Sequence, residues 1–257
     1  MASDRPASAR AELERRPHHA GRKPPAVLER RPLPELEEEI LYYDAELDVA
    51  TSKTHRHAAV DLCNKLEPVA QALGLFFLSD ESIWYLDPNT DKQKVFFGDL
   101  VLSRRKDSVT AKDLQLVIEV VSTYDRRKEL KDTIRQRVLN EFNAVPEFGL
   151  YFPDVGDSRN FELFRLDPDA RIYAPVAPKD GRLVSSSVPG LEVELLPRER
   201  WRDAFKIDVY FEGRRLLSAD EERARADREA ARAEQEAARA ERLAARLREL
   251  GIDPQEP

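Results

Sequence analysis

Leu116-Val117-Ile118-Glu119-Val120-Val121 is the strongest strand signal in this sequence, because five of its six residues are apolar and most of them are β-branched. Residues 127–142 follow with charged side chains on one side and Leu130, Ile134, Val138, Leu139 and Phe142 on the other, as in an amphipathic helix. Residues 147–152 then read as a second strand. A strand, a helix and a strand in this order predict a β-α-β crossover, with one parallel strand pair and a helix that covers the sheet.

Each of two apolar runs, this one and another upstream, has a carboxylate within it or directly before it. Glu119 lies within the first, and Asp99 precedes Leu100-Val101-Leu102. A buried carboxylate is unfavourable unless it is paired or binds a ligand. If the two strands are neighbours, the two acids point to a common place, and paired acidic oxygens are typical of a site for a hard divalent cation. Asp99 alone could equally serve the turn after Gly98, and a buried salt bridge is the main alternative for Glu119.

The remaining pattern predicts a mixed α/β (α+β) domain. Residues 54–73 have helical spacing and end at Gly74. Residues 39–49, 75–78, 83–86 and 95–102 read as strands, the last three as an antiparallel meander. Further short strands or a hairpin are expected at residues 161–166, 172–174, 183–186 and 191–195, and we expect them to extend the edge of the same sheet.

The apolar residues of the 257-residue chain are concentrated in its middle, which predicts three regions. Residues 1–38 mix Arg, Pro and Glu with few large apolar groups and are expected to be a disordered leader. Residues 39–217 are expected to form the folded domain. Residues 218–257 form an Ala/Arg/Glu-rich helical tail.

The tail repeats with a period of seven residues. Residues 224–230, 231–237 and 238–244 can be aligned, and Ala226, Ala230, Ala233, Ala237, Ala240 and Ala244 with Leu247 form a seam of 3,4 spacing. Alanine buries little area, so a solvated helix and a coiled coil are both compatible with this seam. We expect the tail or the core to support a homodimer or to bind a partner.

Charge and motifs exclude several classes of protein. The sequence has no membrane-length apolar run and no secretory signal, which predicts a cytoplasmic protein without membrane contact. A net charge of −7 argues against non-specific coating of nucleic acid, although Arg104-Arg105-Lys106 and residues 126–137 are locally basic. There is no phosphate-binding G-x-x-x-x-G-K-[ST] loop, no G-x-S-x-G elbow and no Cys/His zinc cluster.

The acid pair is suited to phosphodiester hydrolysis. Mg²⁺ or Mn²⁺ held by Asp99 and Glu119 would keep open positions for water and a phosphate oxygen. A lysine nearby would stabilise charge at the phosphate or orient the attacking water. Lys128 and Lys131 are the candidates, because both lie at the start of the helix that follows Glu119.

The order of these motifs resembles the Uma2 family, which is assigned to the PD-(D/E)XK restriction-endonuclease-like superfamily of endonucleases. The resemblance covers residues 39–196. It rests on Gly98-Asp99, on residues 117–122, on Asp125 with the lysines after it, and on Val145-Pro146-Glu147-Phe148 before a strand. The tail of this chain, which is rich in Ala, Arg and Glu, is also similar to tails seen in the family. The resemblance implies a restriction-endonuclease-like mixed β-sheet flanked by helices.

The resemblance also implies roles for individual residues. Asp99 and Glu119 match the two metal-binding acids, and Val121 stands where the superfamily motif has its lysine. A lysine of the next helix, Lys131 or Lys128, would serve instead. His57 fits a histidine at the start of the first long helix, where it would contact the substrate. An early acid of the metal site has two imperfect matches, Glu46 and Glu39.

The sequence therefore predicts a Mg²⁺-dependent DNA endonuclease. The alternative is a protein of the same fold that has lost catalysis and serves as a nucleic-acid or protein binding scaffold. An enzyme that acts on another phosphate ester is a third reading of the same residues.

Overall fold

The computed structural model describes residues 52–122 and 126–249, without the side chains of Arg126 and Arg127. The chain divides into two units, Met1–Leu216 and Leu217–Pro257. The predicted leader, the predicted strand at residues 39–49 and Glu46 lie outside the described residues.

The main sheet of the first unit has six strands. In spatial order they are β1 (Phe76–Leu78), β4 (Leu100–Ser103), β5 (Leu114–Val120), β6 (Glu147–Tyr151), β7 (Phe161–Leu166) and β8 (Tyr173–Pro175). Strands β5 and β6 are parallel, and the other neighbours are antiparallel. The predicted crossover is therefore confirmed, and the sheet is mixed.

Two helical regions belong to this unit. Helix α1 (Lys53–Ala72) begins at Ser52, whose hydroxyl accepts a hydrogen bond from the N–H of His55, and it is followed by Gly74 with a φ of +67°. The crossover between β5 and β6 consists of α2 (Arg126–Leu130), a π-helical segment (Lys131–Arg135) and α3 (Gln136–Phe142). The predicted single α-helix is thus interrupted by a wider turn.

The predicted antiparallel meander is right for one strand pair and wrong for the other. The expected strand at residues 95–102 is divided at Asp99 into β3 (Gln93–Gly98) and β4. Strand β3 pairs with β2 (Glu81–Leu86) in a separate two-stranded hairpin, whereas β1 pairs with β4. The hairpin is therefore an insertion between two strands that are neighbours in the main sheet.

The prediction that the last four strands extend the edge of the main sheet is right for β7 and β8, and wrong for the two expected at residues 183–186 and 191–195. Strands β9 (Arg182–Val184), β10 (Leu191–Leu195), β11 (Ile207–Phe211) and β12 (Arg214–Arg215) form a second sheet in the order β12-β11-β10-β9. Strand β11, which was not predicted, pairs with β10 along five residues. Strand β10 is therefore part of the second sheet and does not lie at the edge of the main sheet.

The main sheet separates two apolar cores. On β5, Leu116, Ile118 and Val120 pack in the core that includes α1, whereas Val117 and Val121 pack in the core that includes α3. Because side chains alternate along a strand, Glu119 points to the second face, which the crossover helices and the β2–β3 hairpin cover.

The second unit contains α4 (Ala219–Glu249), a helix of 31 residues without a buried residue. The expectation of a mixed α/β protein with a long C-terminal helix is thus confirmed. No helix in the described part of the chain has both the length and the apolarity needed to cross a membrane.

Candidate active site

Asp99 and Glu119 lie on the same face of the sheet at neighbouring strands. Strand β4 pairs with β5 through Leu100 and Ile118, so continuing this antiparallel register places Asp99 opposite Glu119. The Asp99 carboxylate accepts a hydrogen bond from the N–H of Val120 at 2.7 Å. The end of the hairpin is thereby attached to the strand that carries Glu119.

Gly98 lies beside the Glu119 carboxylate, at a position where a side chain would be too close to Val101. A Cβ atom at Gly98 would lie 2.7 Å from Cγ2 of Val101 and 3.8 Å from Oε1 of Glu119. The first distance is shorter than van der Waals contact, so a side chain at this position would displace the strand. Glycine at position 98 therefore lets the chain turn closely past the two carboxylates.

A third carboxylate, Asp132, approaches the pair from the π-helical segment. Its side chain is buried, its charge acts on Glu119, and the charge of Asp99 acts on it. Sequence reasoning missed Asp132, although it lies seven residues, or about two helical turns, before the apolar-face residue Leu139. That spacing was the available signal that Asp132 faces the sheet.

Burial raises the pKa of all three carboxyl groups, and repulsion within the group raises it further for Glu119 and Asp132. For Glu119 desolvation is the main cause, followed by the charges of Asp99 and Asp132, and its pKa is well above the usual range. Desolvation and then the charge of Asp99 raise the pKa of Asp132 to about 7. Desolvation also raises the pKa of Asp99, against the opposing effects of His55, the Val120 N–H and Lys128.

The acids have no direct counter-charge within residues 52–122 and 126–249. No hydrogen bond or ion pair there ends on the carboxylate of Glu119 or Asp132, which are 4% and 8% exposed. The alternative of a buried salt bridge between Glu119 and Lys131 is therefore not formed among these residues. A bound cation would satisfy such a group, because it neutralises charges that burial leaves unpaired.

The three acids are not arranged as a complete coordination shell. Within the same described ranges, no group of three or more His, Cys, Asp or Glu side chains is placed to hold a metal ion together. A site for Mg²⁺ would thus use one or two of the carboxylates, with water in the other positions, which is the usual coordination of this ion.

Lys128 and Lys131 both act on the carboxylates. The charge of Lys131 lowers the pKa of Glu119 and Asp132, and the charge of Lys128 lowers the pKa of Asp99 and Asp132. Neither lysine forms an ion pair with another described residue. Both lysines are half-buried, and their charges act on the acids without an ion pair to them among the described residues.

The structure places a different histidine near the acids. His57, the predicted substrate contact, is exposed on α1, whereas His55 lies two residues closer to the helix start and its charge acts on Asp99. The start of α1 is held at the end of β5, where the hydroxyls of Ser52 and Ser122 lie 3.2 Å apart. The acid pair consequently lies beside the beginning of α1.

Neither protein-family models nor curated protein sequences gave a match to this chain. The resemblance to the Uma2 family accordingly stays a prediction.

Proposed function

We propose that this protein is a metal-dependent nuclease of the restriction-endonuclease-like fold, which hydrolyses phosphodiester bonds of DNA. The observation that carries the proposal is the group of three carboxylates, the half-buried Asp99 and the buried Glu119 and Asp132, whose charges act on one another beside two lysines without a direct counter-charge among the described residues. Ionised buried acids without a counter-charge oppose folding, which favours a role in binding a cation over a role in stability.

Asp99 and Glu119 would hold Mg²⁺ or Mn²⁺. When bound, the cation supplies a water of lowered pKa and stabilises charge on the phosphate oxygens. The Val120 N–H fixes the orientation of the Asp99 carboxylate, so one ligand is pre-positioned. Asp132 adds negative charge next to the pair, which strengthens the preference for a divalent cation over a monovalent one.

Lys128 and Lys131 would act on the substrate. Each is close enough to the carboxylates to change a pKa and is without an ion pair among the described residues, so its ammonium group is available to a phosphate. A cation at the scissile phosphate stabilises the charge that develops during hydrolysis. This arrangement supplies from the crossover helix what Val121, a buried apolar residue, cannot supply from the strand.

A second candidate function is a nuclease-like protein that binds DNA or a protein without cleaving it. Two observations favour it, the valine at position 121 and the lack of a three-ligand group in the described ranges. The two candidates differ in the cleavage of DNA, because only a nuclease cleaves it and only a nuclease needs Glu119 to do so.

The test is incubation of purified protein with supercoiled and linear DNA, with and without Mg²⁺ or Mn²⁺. The proposal expects cation-dependent cleavage by wild type that Asp99→Ala and Glu119→Ala abolish, while Glu67→Gln, an exposed site on α1, remains active. Binding to a fluorescent oligonucleotide in EDTA is measured in parallel. Binding that all variants share, without cleavage by any of them, would support the scaffold instead.

A further inference from the structure

Glu129 lies between the two candidate lysines and is bonded to a distant loop. Its carboxylate accepts a hydrogen bond at 2.7 Å from Nη1 of Arg159, in the loop between β6 and β7. The partners are 30 residues apart in the chain. This ion pair joins the turn that carries Lys128 and Lys131 to a part of the fold outside the crossover.

Arg159 is itself fixed on two other sides. Its Nε and Nη2 donate to the Asp157 carboxylate at 3.0 and 2.5 Å, and its guanidinium lies 4.0 Å from the ring centre of the buried Phe152. A planar guanidinium held by a fork of hydrogen bonds and by an aromatic face has few alternative positions. The bond to Glu129 therefore starts from a rigid donor.

The loop behind Arg159 is anchored by a fully buried lysine. Nζ of Lys206 donates to the main-chain oxygens of Asp154 and Asp157 at 3.0 and 2.8 Å, and also to that of Arg159. It lies 3.9 Å from the ring centre of Trp201. Three carbonyl acceptors satisfy the three donors of an ammonium group, so the loop is held as one piece.

The lysine-bearing turn needs such an anchor, because the helix is irregular there. The π-helical segment Lys131–Arg135 begins directly after α2, and the hydroxyl of Thr133 bonds the main-chain oxygen of Glu129 at 2.7 Å. Short π segments are less stable than α-helix and occur often at functional sites. The helix alone thus does not determine where Lys128 and Lys131 lie relative to the sheet.

We propose that Arg159 is a positioning residue, which through Glu129 holds Lys128 and Lys131 over the carboxylates of Asp99 and Glu119. The proposal rests on the proposed nuclease function for its catalytic consequence, and on the contacts alone for its structural one. Its alternative is an ion pair that only stabilises the fold.

The structural part is tested by amide hydrogen exchange in metal-free protein. Arg159→Gln should increase exchange in residues 126–142 at least severalfold, while exchange in β5 and β6 stays as in wild type. Arg182→Gln is the matched control, because Arg182 also pairs with a glutamate and stacks on a ring, Tyr210, but lies in the second sheet. Unchanged exchange in residues 126–142 would overturn the proposal whether or not the protein cleaves DNA.

The catalytic part is tested by steady-state cleavage of DNA. Arg159→Gln and Glu129→Gln should each lower kcat by about ten- to a hundredfold with KM nearly unchanged, since misplaced catalytic groups affect turnover. The double variant should lose clearly less than the product of the two single losses, because both changes break the same Arg159–Glu129 contact. If the losses multiply, or if kcat falls only as the folded fraction falls, the role is merely structural. If wild type does not cleave DNA but Arg159→Gln still shows increased exchange, the proposed nuclease function is refuted and the structural role of the Arg159–Glu129 contact is kept.

Discussion

The main-chain N–H of Val120 donates to the carboxylate of Asp99 at 2.7 Å, next to Glu119 on the same strand. This bond crosses between β4 and β5, where the regular pairing ends at Leu100 and Ile118. The Asp99 side chain thus takes the place of a main-chain hydrogen bond between the two strands. The carboxylates of Asp99 and Glu119 are neighbours at this end of the pairing.

Asp99→Asn separates the two roles of this residue. An asparagine oxygen can still accept the Val120 N–H, so we expect a free energy of unfolding within about 1 kcal/mol of wild type. The missing charge should weaken Mn²⁺ binding at least tenfold in calorimetric titration. Asp99→Ala, which removes the acceptor too, should lose both stability and affinity. Equal Mn²⁺ affinity in wild type and Asp99→Asn would show that Asp99 is not a ligand.

Asp132→Asn should stabilise the metal-free protein at high pH. The folded state raises the pKa of Asp132 to about 7 from the ordinary 3.8, so folding loses stability as pH rises between these values. At pH 8 the variant should be more stable by about 1–4 kcal/mol, at about 1.4 kcal/mol per pKa unit. Near pH 4 the two proteins should have similar stability. Urea unfolding at both pH values measures the difference, and a variant less stable than wild type at pH 8 would contradict the repulsion.

Glu147 should give the free energy of unfolding the opposite pH dependence to that of Asp132. Its buried carboxylate would be raised in pKa by desolvation, but hydrogen bonds from Ser185, Ser186, Ser187 and Arg165 outweigh this and lower the pKa. These bonds stabilise the protein above the ordinary value, and the stabilisation is lost as pH falls through the folded pKa. Glu147→Gln should therefore reduce the free energy of unfolding at pH 7 by about 2–4 kcal/mol.

The deficit of Glu147→Gln should narrow as pH falls through the lowered folded-state pKa of Glu147, where the wild-type carboxylate becomes protonated as well. Denaturant unfolding across this range tests the sign. A deficit that is constant with pH would mean that shape, and not charge, holds the three serines.

Helix α4 predicts weak self-association. The alanine seam is flanked by Asp227, Glu234 and Glu241 on one side and by Glu229 and Glu236 on the other. Two copies that pair through this seam, parallel or antiparallel, would bring acids against acids. We expect sedimentation equilibrium to show monomer at low salt, and Asp227→Gln with Glu234→Gln and Glu241→Gln to increase the dimer fraction. A tight wild-type dimer at low salt that depends on α4 would contradict this.

The sequence predicts the local elements better than their pairing. The apolar runs locate β5, β7 and β10, and helical spacing locates α1 and α4, because these signals depend on near neighbours. The division at Asp99 and the second sheet depend on contacts such as Val120 with Asp99 and β10 with β11, which bring together residues far apart in the chain.

The same distinction applies to the candidate site. Asp99, Glu119 and both lysines are recognisable from residue type and order, whereas Asp132 depends on helix register and the Arg159–Glu129 contact spans 30 residues. The histidine near Asp99 is His55 and not the predicted His57. The two are two residues apart at the helix start, where the cap at Ser52 sets the orientation of the helix.

The most direct test is single-turnover cleavage of a labelled DNA duplex with Mg²⁺ by wild type and Glu119→Gln. Glutamine keeps the shape of the buried side chain and removes its charge, and Glu67→Gln controls for the same substitution at an exposed site. We predict cleavage by wild type and Glu67→Gln, and a loss of at least a hundredfold in Glu119→Gln, with all three proteins equally folded. Equal rates in wild type and Glu119→Gln would contradict a nuclease site built on Asp99 and Glu119.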